Sequence, residues 1–417
     1  MKHKPYVDAA FRFAGVCLLA SLMLFISAGT LVAQSEDVPS PLLDLKTKVD
    51  WWFIFKFNAE TFPHSCAVTQ RACLFGGTPQ SYRQFSQEFA YASSAERTLQ
   101  LGGGCLGGTL ADPLGATFNE VYNGNFFYVL WNDQFYGDPM QTEPAPWGHS
   151  KGLLAWDQNG DGLVLQVSTP DWPASGSSLR PRKTDGNTLG CILKDNDIMV
   201  SQHFFSLKLD QNDVVLVLKA LANASVVTDP ADPQIVNNGG PAEIQALVRS
   251  LGQESSSKVA TKDRLSSGVT LISKPAKLNV PPWQMVSALL GGEPLRAATW
   301  WTRPEIPTTT ATTVVGCWDQ SLGKPGAVEI ATSGTWNGKT IGLEGLAEPE
   351  GNHAKIGVST GTHLYAIFGD MNQQGALAPP KCKSSQNGRG GLFYVVDDAT
   401  LSGSVRNLIQ GYTAPSQ

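Results

Sequence analysis

"GHSKGLLAWDQNGDGLVLQVSTPD", residues 148–171, reads as two strands around a tight turn. "KGLLAWDQNGDGLVLQVST" (151–169) supplies both strands, and Asn159-Gly160-Asp161-Gly162 between them is a strong hairpin signal. The same turn matches the first half of a calcium-binding loop, but the twelfth position is Ser168 where a glutamate is needed, and no helices flank it. A hairpin is therefore the expected structure. In front of it stands His149-Ser150-Lys151.

A second H-x-K triplet lies in "EGNHAKIGVSTGTHLYAIFGDMNQQ", residues 350–374. His353 and Lys355 again precede an apolar stretch. The first stretch runs into Ser168-Thr169-Pro170-Asp171 and the second into Gly369-Asp370-Met371-Asn372. The chain thus repeats one organisation, H-x-K then strand then small or acidic residue then carboxylate or amide, once in each half. Residues 226–241, "VVTDPADPQIVNNGGP", are rich in Pro, Asn and Gly and mark the boundary. The expected division is an N-terminal half over 34–235 and a C-terminal half over 236–417.

Both halves mix strands and helices. Strands are expected in "VDWWFIFKF" (49–57), "NFFYVLWND" (125–133), "IGVST" (356–360), "LYAIFGD" (364–370) and "GLFYVVDD" (391–398). Pro241 suits the first turn of a helix with Ile244, Leu247, Val248 and Leu251 on one face, and "VPPWQMVSALLGG" (280–292) reads as another, closed by Gly291. "DVVLVLKALA" (213–222) fits strand or helix.

Lys2, Lys4 and Arg12, then the apolar residues 13–33 with small residues at their end, read as an export signal over 1–33. Six cysteines remain beyond it (Cys66, Cys73, Cys105, Cys191, Cys317 and Cys382). None forms C-x-x-C or clusters with histidine, so disulfides are expected rather than a metal site, in any of 15 connectivities. The formal charge is −5, and residues 1–33 carry +2 of it (Lys2, Lys4 and Arg12 against Asp8), which leaves −7. A polyanion would then have to be held by a local basic groove. Asn223-Ala224-Ser225 is a glycosylation sequon.

Two histidines brought together by two-fold packing can divide a displacement at phosphorus. One, neutral, attacks and becomes phosphorylated; the other, protonated, gives its proton to the leaving oxygen and later takes one from water. Lys151 and Lys355 would neutralise the nonbridging oxygens, so neither a metal nor another cofactor is required. Asp370 and Asn372 could bond the phosphate or orient an imidazole. Because the two rings need opposite charge states, the rate should be bell-shaped in pH.

These residues resemble the deoxyribonuclease II family of acid endonucleases, related to the phospholipase D superfamily. "VDWWFIFKF", "LWNDQ", "GHSKG", "LISKPAK", "WQMVSALLGG", "NHAK", "FGDMNQQG" and "GRGG" (388–391) occur in the family's order along nearly the whole mature chain. The resemblance implies an α/β fold of two pseudo-symmetric phospholipase D-like sandwich halves forming a single-chain pseudodimer. It also implies metal-independent hydrolysis of DNA in acid, leaving 3′-phosphate ends, with no obligatory protein partner. The catalytic roles fall on His149, Lys151, His353 and Lys355, and substrate contacts on Asn132, Asp171, Asp370 and Asn372. Secreted, periplasmic and lysosomal locations all fit, without stable membrane association once the signal is cleaved. This chain departs from the family pattern at Gln166, Asp171, Asn352 and Gln373. Another phosphodiesterase of the superfamily, acting on lipid or nucleotide, and a weakened DNA-binding protein are the alternatives.

Overall fold

All six residues of "WWFIFK" are buried, as befits a strand covered on both faces. It forms β1 (Trp51–Lys56), the middle of a sheet that the first half of the chain builds. The structure is a computed structural model that describes residues 37–63, 86–107, 110–135, 144–170, 172, 177–180 and 199–416. The expected export signal, His64, Cys66, Cys73, Cys191 and Asp171 lie outside the described residues.

After β1 come β2 (Phe89–Ser93), β3 (Gln100–Leu101), helix α1 (Pro113–Asn123), β4 (Phe127–Asn132), β5 (Lys151–Trp156), β6 (Gly162–Val167), β7 (Gln202–Leu209), helix α2 (Gln211–Ala224) and β8 (Val236–Asn237). They make one eight-stranded antiparallel sheet in the order β3-β2-β1-β7-β6-β5-β4-β8. The β5–β6 hairpin closes as expected: Asp157 Oδ1 accepts the N–H groups of Asn159, Gly160 and Asp161, and Gly160 takes the positive φ the turn needs. β8 keeps residues 236–237 in this first sheet.

The remainder gives helix α3 (Ala242–Arg249), β9 (Thr261–Arg264), β10 (Thr270–Lys274), helix α4 (Pro282–Leu289), β11 (Leu295–Ala298), β12 (Val328–Ile330), the small hairpin β13 (Ser333–Trp336) and β14 (Lys339–Gly342), then β15 (Ile356–Ser359), β16 (Tyr365–Gly369), β17 (Gly391–Asp397) and helix α5 (Ala399–Leu408). Seven of these strands form a second sheet, β12-β11-β15-β16-β17-β10-β9, antiparallel except for β11–β12. The fold is therefore mixed α/β. The orders β1-β7-β6-β5-β4 and β10-β17-β16-β15-β11 run in step, and the strand that follows each H-x-K triplet holds the same rank in both.

The ambiguous segment 213–222 is helix α2. Asp210 accepts from Asp213 N–H while Asp213 reaches back to the N-cap, a reciprocal cap that a strand could not use. Asn223 within the sequon donates its amide to Val259 O and Ser273 Oγ, so this side chain is engaged in the fold. The two sheets meet through an aromatic layer. Phe368 of β16 stacks between Phe53 of β1 (centroids 4.3 Å apart) and Phe205 of β7 (4.7 Å), and Phe205 touches Tyr394 of β17. Each such pair adds about 1 kcal/mol beyond the area it buries. Cys317–Cys382 forms a disulfide.

Candidate active site

Each H-x-K triplet enters its strand from a loop, and each loop is tied to the other half. His149 donates its backbone N–H to Gly390 O at 2.8 Å; His353 donates its own to Ser201 O at the same distance. Gly390 immediately precedes β17, and Ser201 immediately precedes β7, so the donor and acceptor roles are exchanged between the halves. A Cβ at Gly390 would stand 2.1 Å from Ala224 O, at the end of α2, which is why this wall is built with glycine. Ser225 O accepts from Gly148 N–H and holds the first loop to the same helix end. Behind the lysine, Gly152 leaves room for the Trp131 ring, which a Cβ would meet at 2.5 Å.

The side chains of the two histidines are oriented differently. His149 Nδ1 lies 2.7 Å from the carbonyl oxygen of Asp370, which can only accept. The neutral ring therefore carries its proton on Nδ1 and a lone pair on Nε2. His353 Nδ1 faces the amide nitrogen of Gln202 at 3.4 Å. The orientation of that amide is set by Ser168, whose hydroxyl accepts from His203 N–H at 2.8 Å and donates to Gln202 Oε1 at 2.5 Å. In that orientation Gln202 faces His353 Nδ1 with a donor, which the ring, when neutral, meets with a lone pair. Trp300 covers His353 edge-on, with centroids 4.1 Å apart.

Positive charge surrounds both rings. Burial, then Lys151, lowers the pKa of His149 well below the ordinary histidine value, with Arg389 and Lys355 adding to it and Asp133 opposing. Burial, then Lys355, does the same to His353, which also feels Lys151, His149 and Lys56. Charges of both triplets thus act on both rings. Lys151 Nζ donates to Asp133 Oδ1 at 2.5 Å, and Arg389 Nη2 pairs with Asp133 Oδ2 at 2.8 Å. Burial works to raise the pKa of Asp133, but Lys151 and Arg389 prevail and hold the carboxyl well below its usual range. Lys355 Nζ turns to the carbonyl of its own His353, and its backbone N–H donates to His203 Nδ1.

Among the remaining expected site residues, Asp370 reaches from the second half to the first triplet. Its carbonyl takes His149, and its carboxylate accepts from Leu392 N–H at 2.9 Å and Gln166 Nε2 at 3.0 Å. Burial still pushes its pKa up to about 7, against the pull of Ser150, Leu392, Lys151 and Gln166. Gln166, one of the departures from the family pattern, is therefore a ligand of this carboxylate. Asn372 donates to Gln374 Oε1, while its own Oδ1 is buried with no partner among the described residues. Asn132 donates its amide to the carbonyls of Thr169 and Trp172 and accepts from Gln134 N–H, which shapes the loop beside β4. Asp171 lies outside the described residues.

Asp133, Arg389, Gln202 and Ser168 were not expected at the site. The first two stand inside "LWNDQ" and "GRGG", and an acid directly after a buried strand was the signal that could have found the first. Gln202 and Ser168 carry no local signal. Among the described residues, no three His, Cys, Asp or Glu side chains gather as metal ligands. The arrangement can place an anion among two lysines and an arginine, beside one imidazole that offers a lone pair and one that offers an N–H.

The family model described as Deoxyribonuclease II matches residues 42–414. Deoxyribonuclease-2-alpha of Bos taurus is 27% identical over 161 residues, a match that spans 39% of this chain and 38% of the relative.

Proposed function

The chain belongs to the deoxyribonuclease II family, and from that premise we propose that it is an endodeoxyribonuclease acting in acid without a metal ion through a phospho-histidine. The bond from His149 Nδ1 to the Asp370 carbonyl, which leaves a lone pair on Nε2, carries the reading of roles. The Nε2 lone pair of His149 attacks phosphorus and forms the P–N bond. The P–O5′ bond breaks, and the departing oxygen takes the Nε2 proton of His353 in its protonated, imidazolium form, leaving a 5′-hydroxyl and a neutral ring. His353 then accepts a proton from water as the water oxygen attacks phosphorus; the P–N bond breaks and a 3′-phosphate leaves. Lys151, Lys355 and Arg389 offset the charge that builds on the nonbridging oxygens.

The acid requirement follows from the charge around the rings. Both imidazoles are depressed below their ordinary pKa, so at neutral pH they resist the additional proton that a doubly charged phosphate product or a leaving alkoxide calls for. Entry of the phosphodiester anion opposes the lysines, restoring basicity where it is needed.

Substrate affinity is drawn from the backbone of DNA. Beside the His149 loop and Gly388, Lys258, Lys277 and Lys383 line a groove of about 510 Å³ floored by Ala145, Pro146 and Ala276. Its contacts would be to phosphate and would read little sequence. The division into halves near 235/236, related as a pseudodimer, is supported by the matching strand orders, with β8 (Val236–Asn237) alone beyond that boundary in the first sheet. Residues 1–33 we take as an export signal, directing the chain to the medium, the periplasm or a lysosome. The disulfide Cys317–Cys382 suits such oxidising routes.

The test is nicking of supercoiled plasmid in excess EDTA from pH 4 to pH 8, beside His149→Ala and His353→Ala. Chelator-resistant nicking with 3′-phosphate ends, lost in both variants, is the expected result. Nicking that needs metal, or survives both substitutions, overturns it.

A further inference from the structure

Lys274, the last residue of β10, is wholly buried. Its ammonium donates to Asn387 O and Arg389 O, both at 2.8 Å, and contacts Pro275 O at 3.5 Å. Among the described residues no carboxylate pairs with it. Burial alone lowers its pKa to about 7. A buried lysine without a counter-ion is costly to keep, so the segment it grips is the place to look for its use.

That segment is the wall of the site. Arg389, held by its carbonyl, sends its guanidinium to Asp133 Oδ2 and to the carbonyls of Trp147 and Gly148. Gly390, the next residue, receives His149 N–H. The backbone bond of His149, the brace on Lys151 through Asp133, and two bonds to the loop before β5 depart from one turn, and Lys274 ties that turn to β10. β1 ends the same way. Lys56 is buried and donates to the carbonyls of Phe57 (3.3 Å) and Ser86 (3.2 Å). It is paired in register with Gln202, the residue beside His353, as Lys274 is paired with Gly391, the residue after the His149 acceptor.

We propose that Lys274 is a positioning residue for the phosphodiester reaction, holding the 387–390 turn so that Arg389 braces Asp133 and Gly390 fixes His149. The inference rests on the nuclease reading for its kinetic consequence and on the hydrogen bonds alone for its effect on His149. Lys274 touches no substrate. It acts through Arg389 and Gly390, and a neutral side chain of the same length would bury well but hold neither carbonyl.

The experiment compares Lys274→Met, Lys274→Arg, Arg389→Met and the Lys274→Met/Arg389→Met double variant. Nicking in EDTA should fall at least tenfold in kcat for Lys274→Met with KM changed less than twofold, and Lys274→Arg should recover part of the loss. The double variant should lose less than the product of the two single losses, because part of the Lys274 effect runs through Arg389. Losses that multiply in the double variant, or an unchanged kcat in Lys274→Met, overturn the proposal. Nitrogen-15 spectra of the histidine rings supply a readout independent of catalysis. Lys274→Met should move the His149 ring signals and their titration and leave His363, on the surface, unmoved. If the wild type does not nick yet the His149 signals move, the nuclease reading fails and the positioning role stands. Unmoved His149 signals in a folded Lys274→Met variant sink the positioning role.

Discussion

His149 Nδ1 sits 2.7 Å from the carbonyl oxygen of Asp370, a residue 221 positions away. A carbonyl cannot donate, so this bond selects the tautomer with its lone pair on Nε2. His353 meets a donor amide instead. Two triplets of the same composition thereby meet different hydrogen-bond partners.

The difference can be read with a substrate whose leaving group needs no proton. A 3′-nucleotide p-nitrophenyl diester should be cleaved by His353→Ala at a rate near that of the wild type in its first turnover, with phosphate trapped on His149. DNA should be cleaved more slowly by about 10² to 10⁴, the usual contribution of a general acid. His149→Ala should be inert toward both. Equal losses on both substrates for the two variants would mean the roles are not divided this way.

Asp133 lies between Lys151 and Arg389 with its side chain 1% exposed. Asp133→Asn leaves two cations in a dry site without their anion, so unfolding in urea at pH 7 should show a loss of about 3–5 kcal/mol. The depressed folded-state pKa of Asp133 means this stabilisation is present above its ordinary value of 3.8 and is lost as pH falls toward the lower folded value. The gap between wild type and Asp133→Asn should therefore narrow in strong acid; a constant gap would contradict the ion-pair account.

Glu120 behaves with the opposite sign. Burial raises its pKa from 4.5 to about 7, despite the N–H it receives from Ser40. The folded protein holds this proton where the unfolded chain releases it, so its contribution is full below pH 4.5 and lost as pH rises to about 7. Glu120→Gln should match the wild type in stability at pH 4 and exceed it at pH 8. A variant less stable at both would show that the carboxylate is needed.

His203 is wholly buried, and burial followed by Lys355 lowers its pKa well below 6.5. The unfolded chain then binds the additional proton first, so stability falls as pH drops below 6.5. His203→Gln, which can still accept from Lys355 N–H, should flatten that fall between pH 6.5 and pH 4 in thermal melts. An undiminished acid slope would place the sensitivity elsewhere.

Lys258, Lys277 and Lys383 should matter for long substrates alone. Replacing all three by alanine should reduce the slope of log K against log salt for duplex DNA by about 0.9 for each phosphate that is no longer neutralised. Hydrolysis of bis(p-nitrophenyl) phosphate, which has no flanking phosphates, should be unchanged. An unaltered salt slope would remove the groove from the substrate path.

Strands β1, β4, β15, β16 and β17, both hairpin arms around Asp157-Gly162 and the helices after Pro241 and Pro281 were legible because each depends on local chemistry: apolar runs, turn residues and caps. Residues 213–222 were ambiguous, since a fully apolar run fits either state; the reciprocal cap of Asp210 and Asp213 decides it. The two triplets stood out by composition. What made them a site did not. Arg389 meets Asp133 across 256 positions, and Gln202 meets His353 across 151. Such pairings arise from the stacking of two sheets through Phe53, Phe205 and Phe368, which leaves no trace in spacing along the chain.

The exchanged backbone bonds, His149 to Gly390 and His353 to Ser201, have a consequence for the order in which the site is completed. During synthesis the first triplet emerges long before its acceptor, which lies close to the end of the chain. A partly made molecule therefore lacks the acceptor that orders the loop of the first triplet. The two triplets can be set against each other only once the turn before β17 has been made.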